Sequence, residues 1–434
     1  METALFRFSS VEENKNKVYS TAIVSLFVST LIFLLPVIFF SGSIANVLKY
    51  PGNHNYIVWV ALIIGLDAFT SIPFAKLREQ NKAFLFASLK FINIIVNIGL
   101  TVFFVWFCKK THESPTSSFY NLVEKVYNPE IGVGYVFVAN MLANAVSLIL
   151  LLPQILKTKF EFDIALWKRM MWYALPVLIA GLAGMTNETM DRILLKYLLP
   201  ADMAMTQVGI YGACYKISIL MTIFIQTFRY AAEPFFFSHS AKEDAKILYA
   251  EVMNYFVIAC SFIFLATMAN IEWIQYFVGS SFRTGLPVVP ILLLANLCLG
   301  IFFNLSIWYK LTGETKYGAY LTVFGAAITL LLNFFLIPRI GYMGSAWATL
   351  ACYASMMLLS YIIGQKHYLI HYDLKRILGY LALSLTLYLS CRFFETESAF
   401  INLIFNNLLL LVFVIVVFSV EKLKSKSKLY RNTE

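Results

Sequence analysis

About twelve long apolar runs recur along this chain, each near the ~20 residues that cross a ~30 Å hydrocarbon core. They fall at roughly 18–40, 56–75, 84–107, 132–153, 170–189, 207–230, 249–271, 287–308, 318–337, 342–364, 374–392 and 400–420. The stretch 41–52 is too short to span and is assigned to the interface. In lipid, backbone polar groups must be satisfied internally, so only helices and closed barrels span. These runs are too long and too continuously apolar for a barrel's alternation. With 60% hydrophobic and 13% charged residues in 434, the chain has too little polar surface for a soluble protein. The fold class is therefore an all-α polytopic membrane protein.

The loops set an expected orientation. Counted alternately from the N-terminal tail, one set includes Arg7, Lys15 and Lys17, then Lys76, Arg78 and Lys82, and ends on Lys422, Lys424, Lys426, Lys428 and Arg431. It holds more than twice the basic residues of the other set, which places it and both termini in the cytoplasm. The basic tail after Glu421 is read as an anchor to anionic headgroups or a plain positive-inside signal. Residues 1–17 are polar, and the first apolar run is too long for a signal h-region, so no cleavable signal is expected. None of the six cysteines forms a CxxC pair, so they read as small buried hydrophobes. His367 and His371 are four apart with no third ligand, and neither a metal site nor a cofactor is expected. The loops are short and carry no catalytic pattern, so the chain is expected not to be an enzyme.

Ionisable residues inside such runs are costly and mark pathways or pairs. At ~1.5 Å per residue, Asp67 lies roughly 12 Å and Lys90 roughly 9 Å from the same side, on consecutive antiparallel helices. They are expected to pair, as a structural tie or as a coupling-ion site. Lys216 lies roughly 13 Å deep with no acid one turn away on its helix, so it must face a cavity, the favoured reading, find a partner on another helix, or lose its proton. Glu188, Asp191 and Arg192 fall at one helix end and Arg229 and Glu233 at another, where Glu188/Arg192 and Arg229/Glu233 share helix faces. These five are expected to be rim or gate residues, or local salt bridges. Pro176, Pro234 and Pro290 are expected kinks or ends. An internal repeat joins Ile95-Val96-Asn97 and Ile131-Gly132-Val133-Gly134 to Leu331-Leu332-Asn333 and Ile340-Gly341-Tyr342-Met343-Gly344.

Several stretches carry a resemblance. They are Met1-Glu-Thr-Ala-Leu-Phe-Arg-Phe8, Tyr173-Ala-Leu-Pro176, Asn187-Glu-Thr-Met-Asp-Arg192, Gly209-Ile-Tyr211 with Lys216, Arg229-Tyr-Ala-Ala-Glu-Pro-Phe235, Val288-Val-Pro-Ile-Leu-Leu293 and Gly341-Tyr-Met-Gly344. Together they resemble the polysaccharide branch of the multidrug/oligosaccharidyl-lipid/polysaccharide (MOP, MATE-like) exporter superfamily, across essentially the whole chain. The resemblance implies an inner-membrane flippase for undecaprenyl-pyrophosphate-linked oligosaccharide, feeding O-antigen, capsule or exopolysaccharide assembly. It implies two lobes around a cavity, with 1–166 as an N-lobe remnant, 167–368 as the C-lobe, and 369–434 as two extra helices with a basic tail. It makes Lys216, with Tyr211, the expected pyrophosphate or cavity contact. It implies a coupling cation, H+ or Na+, with Asp67 or Glu188 as its site, and polysaccharide polymerase partners; no nucleic acid is expected. Members of that branch usually carry two further helices before the stretch that Met1–Phe8 resembles. Met1 is therefore expected to be an internal methionine, and the first lobe incomplete.

Three other functions compete. One is a cation-coupled small-molecule or drug exporter of the same fold. Another is a membrane glycosyltransferase, ligase or polymerase, which the short loops disfavour. The last is an inactive remnant or scaffold.

Overall fold

The computed structural model describes residues 1–9, 12, 14–80, 82–114, 119–239, 242–394, 396 and 398–431. Side chains at 176, 177, 180, 230, 233, 234, 237, 238, 399 and 425–431 lie outside that description. The described residues contain helices and no strand. The long helices are α1 (Lys15–Phe39), α2 (His54–Glu79), α3 (Ala83–Val102), α4 (Tyr135–Leu156), α5 (Ile164–Leu198) and α6 (Ala201–His239). They continue with α7 (Ala245–Ala269), α8 (Val288–Leu305), α9 (Lys316–Ile340), α10 (Tyr342–His367), α11 (Leu374–Phe393) and α12 (Ala399–Arg431). Among the described residues, eleven helices are long and apolar enough to cross a bilayer; α5, of 35 residues, is not one of those eleven. The chain is a multi-pass, all-α membrane protein.

The helices form where the apolar runs predict, but α5 and α6 run further. No cap or breaker separates Asn187 from Pro200, so α5 continues through its charged residues to Leu198. Proline has no N–H to donate, and the chain turns there before α6 begins at Ala201. Residues 41–47, in the stretch too short to span, form a separate short helix.

The chain divides into two compact units, Met1–Val177 and Leu178–Glu434. In unit one, α1 packs on α2, and α4 packs on both α2 and α3. The short helix Glu2–Ser9 adds Ala4 and Leu5 to a core with Tyr19, Ala22, Ile72 and Met170. In unit two, α7 packs on α8, and α10 packs on both α8 and α9. Helix α6 lies on α8, while α11 and α12 pack on α7 and on each other. The packing order of α1–α4 is thus repeated in α7–α10. The expected internal repeat also has a backbone counterpart. Gly132 (φ 51°, ψ −122°) leads into α4 and Gly341 (φ 57°, ψ −139°) into α10, in a conformation that L residues rarely adopt.

Two features make the fold testable. A Cβ on Gly344 would lie 2.7 Å from the Leu336 carbonyl, a backbone group that cannot swing away. Gly344→Ala is therefore expected to cost about 1–3 kcal/mol in thermal unfolding of detergent-solubilised protein. Gly99→Ala, with nothing within 4 Å of its Cβ, is the control and should be neutral or stabilising. Asp163 receives the Lys17 ammonium at 2.7 Å and the first N–H groups of α5, from Ala165 (2.8 Å) and Leu166 (3.0 Å). The Lys17 bond above all, then the helix N–H groups, holds its carboxyl at about 2. A carboxyl held below its unfolded value of about 3.9 stabilises above that pH, and the contribution disappears as pH falls toward about 2. Asp163→Asn should lower the melting temperature near neutrality, with the gap to wild type closing between about pH 4 and pH 2.

Candidate functional site

Asn187 and Asp191 are four residues apart and share one face of α5. Both are buried, Asp191 to 1% exposure. The hydroxyl of fully buried Tyr211, on α6, donates to Asp191 Oδ2 at 2.6 Å, within the range of charge-assisted bonds. Asp191 Oδ1 accepts the backbone N–H of Arg192 at 2.7 Å. One turn earlier, Asn187 Nδ2 donates to the Thr322 carbonyl at 3.2 Å and Oδ1 accepts from Thr329 Oγ1 at 3.3 Å. The Asn187 carbonyl accepts from Tyr353 Oη at 3.5 Å. On α9, Asn333 Nδ2 donates to the Thr329 carbonyl (2.8 Å), and Asn333 Oδ1 accepts from Ser345 Oγ of α10 (2.9 Å). Thr349 Oγ1 donates to the Ser345 carbonyl at 2.9 Å, and its side chain lies beside the Tyr211 hydroxyl. A buried polar ladder therefore joins α5, α6, α9 and α10 within unit two.

Small residues make the ladder fit. A Cβ at Gly325 would meet the Met356 sulfur and come within 3.0 Å of Asn187 Nδ2. Asn187 can reach α9 only because that position has no side chain.

Among the described residues Asp191 forms no ion pair. The adjacent Arg192 guanidinium instead lies 4.3 Å from the Tyr215 ring centroid, and its buried Nε has no hydrogen-bond partner. The Arg192 charge still acts on Asp191 without pairing with it, and a proton and a bound cation are two further ways to neutralise a carboxylate so buried. The ladder offers Asn, Thr and Ser oxygens, the donor type that hard cations accept.

Several predicted residues lie elsewhere. Asp191 is not at a rim: α5 continues seven residues past it, roughly 10 Å, before ending at Leu198. Glu188 is exposed and forms no pair with Arg192. Lys216 is exposed, on the side of α6 that also carries exposed Ile219, Leu220 and Ile223, rather than enclosed in unit two. Tyr211 and Lys216, expected together, point to different sides of α6. The Asp67–Lys90 pair does not form: both are exposed, and the Lys90 ammonium lies 4.5 Å from the Phe74 ring centroid. Helix α4 packs on both α2 and α3, and the two carriers make few direct contacts. Arg229 is half-buried, 4.9 Å from the Phe303 ring, and lines a small recess with Asn304 and Lys310. Glu233, Pro176 and Pro234 have side chains outside the description.

Thr329, Ser345 and Thr349 were not singled out from sequence. A signal existed: Asn187/Asp191, Thr329/Asn333 and Ser345/Thr349 are three polar pairs at four-residue spacing in apolar helices.

No family model and no curated protein matches the sequence. Solved structures do. The lipid II flippase MurJ, in an inward closed conformation, superposes with a TM-score of 0.66 at 15% identity, over 96% of this chain and 88% of that one. An inward-facing multidrug resistance MATE family transporter of the MOP superfamily gives 0.66 at 12% identity, over 87% and 85%. The Vibrio cholerae MATE transporter VcmN in its bent form gives 0.56 at 11% identity, over 84% and 82%. The fold is that of the MOP transporters.

Removing one partner of the Tyr211–Asp191 bond strands a buried polar group, at about 1–3 kcal/mol. Tyr211→Phe and Asp191→Asn should each destabilise the protein, and the double variant should show a coupling of about 0.5–3 kcal/mol in a double-mutant cycle. Lys216→Ala, on an exposed face, should stay within about 0.5 kcal/mol of wild type.

Proposed function

We propose that this protein is a transporter, not an enzyme, and that it flips undecaprenyl-pyrophosphate-linked oligosaccharide across the bacterial inner membrane for O-antigen, capsule or exopolysaccharide assembly. One observation carries the choice within the fold. The superposition on a lipid II flippase extends over 96% of the chain, whereas those on the two MATE transporters stop at 87% and 84%. The sequence motifs quoted above favour the same branch. The basic loops favour a cytoplasmic side for both termini, and a polysaccharide polymerase is the partner this reading implies.

Residue roles follow from chemistry. Lys216 keeps an exposed ammonium on an otherwise apolar helix face, with no acid paired to it among the described residues, and is assigned to the substrate's pyrophosphate. Asp191 is assigned to coupling, because its burial makes its charge depend on a proton or a cation. This replaces Asp67 and Glu188, which are exposed. The second reading, a cation-coupled exporter of small molecules, rests on the same buried carboxylate and on the MATE superposition.

Complementation of a flippase-deficient strain separates the two. Polymer should be restored by wild type, reduced at least about tenfold by Lys216→Ala and by Asp191→Asn, and left unchanged by Lys90→Ala. Drug resistance without polymer would replace the flippase reading with the exporter one. A well-expressed, fully active Lys216→Ala would remove that residue's role.

A further inference from the structure

The geometry points to a binding site for an anionic phospholipid in unit one, built from a polar cavity above an apolar trough. The cavity, about 550 Å³, lies between the helix Glu2–Ser9, the start of α1 and the end of α2. Tyr19 lines it at 2% exposure, and its hydroxyl has no hydrogen-bond partner among the described residues. A buried donor left idle is unusual and points to a ligand. Lys76 lines it too. Its ammonium lies 3.8 Å from the Tyr19 ring centroid, donates to Thr158 Oγ1 at 3.4 Å, and forms no ion pair among the described residues. Glu79, three residues from Lys76 on α2, pairs with Lys15 at 2.8 Å, which leaves one unmatched cation among the described lining residues. The net lining is one positive charge with a hydroxyl beside it, which suits a single phosphate.

The trough explains why that phosphate should carry an acyl chain. It measures about 430 Å³ and is lined by Ile23 and Phe27 of α1, Phe69 of α2, Leu152 and Ile155 of α4, and Phe160. Ile23 and Phe27 stand one and two turns beyond Tyr19 on one face of α1, and Phe69 stands two turns beyond Lys76 on α2. Thr158, the Lys76 partner, falls in sequence between Ile155 and Phe160 of the trough lining, flanked by exposed Lys157 and Lys159. A head-sized polar space, a cation at the boundary and an apolar slot behind it match an anionic phospholipid. This site does not depend on the transport reading, since it uses no residue assigned to substrate or coupling.

Native mass spectrometry of the full chain in neutral detergent, titrated with phosphatidylglycerol, phosphatidylcholine or inorganic phosphate, tests it. One saturable phosphatidylglycerol adduct is expected, about fivefold or more stronger than with phosphatidylcholine. Lys76→Gln should remove that preference and Tyr19→Phe should weaken it. Leu152→Trp, which fills the trough, should weaken both lipids. Melting temperatures screen for folding, and Tyr19→Phe, which keeps the ring, decides the matter if Lys76→Gln does not fold. Equal retention of both lipids, or an adduct indifferent to Tyr19→Phe and Lys76→Gln, would overturn the site. Displacement of phosphatidylglycerol by millimolar inorganic phosphate would overturn the lipid assignment in favour of a soluble anion.

Discussion

The hydrogen bond from Tyr211 to Asp191 ties the functional and structural demands of unit two together. It places an ionisable group among apolar helices, where leaving either partner unmade is costly. The rest of the ladder follows from that burial. Asn187 sits one turn from Asp191 and has its own amide to satisfy, so it recruits Thr329 of α9. Thr329 and Asn333 then engage Ser345 of α10 through the Asn333 side chain. Asp191–Tyr211, Asn187–Thr329 and Asn333–Ser345 each cross between two helices, so the ladder links four helices at once. A proton or cation arriving at Asp191 alters the charge at the first link of that chain. This is the physical requirement for coupling an ion to a helix rearrangement.

The two units solve one packing problem with different chemistry. In unit one Asn93 of α3 donates to Asn144 (3.1 Å) and Ser147 (2.9 Å) of α4, a bond set made wholly of neutral groups. In unit two the matching helices α9 and α10 are bonded through Asn333 and Ser345, and α5 brings a carboxylate to the same network. Gly132 and Gly341 hold the same backbone turn before α4 and α10. The repeat is therefore structural in both halves, while among the described residues the carboxylate that joins this interhelical network belongs to the second.

Much of this was legible in the sequence, and the errors have a common cause. Apolar length located the helices, and the paired Asn–Gly stretches located the repeat. Counting residues gave depth along a helix but not direction around it. On α6 the buried side carries Cys214, Ile217, Met221 and Ile225, and the exposed side Ile219, Leu220 and Ile223. Both sides are apolar, so no amphipathic contrast showed that Lys216 and Tyr211 diverge. Asp67 and Lys90 failed for the same reason: their depths match, but α4 packs against both helices. Asp191 was misplaced because charges were read as the end of a span. Here the helix carries them onward to Pro200, and the charge is accommodated by Tyr211 instead of water.

The pair α11–α12 shows how unit two carries its extra surface. At one end Asn407 exchanges hydrogen bonds with Asn270 (3.1 and 3.4 Å), and Asn406 reaches the Ala269 carbonyl at the close of α7. At the other end Arg376 and Tyr380 both bind Glu421, and Lys424 bonds Asp373 at 2.6 Å. Clamped at both ends, the pair is bound to α7 and must move with it. Its outward side carries exposed Leu408, Leu411, Ile415 and Phe418, a surface suited to lipid.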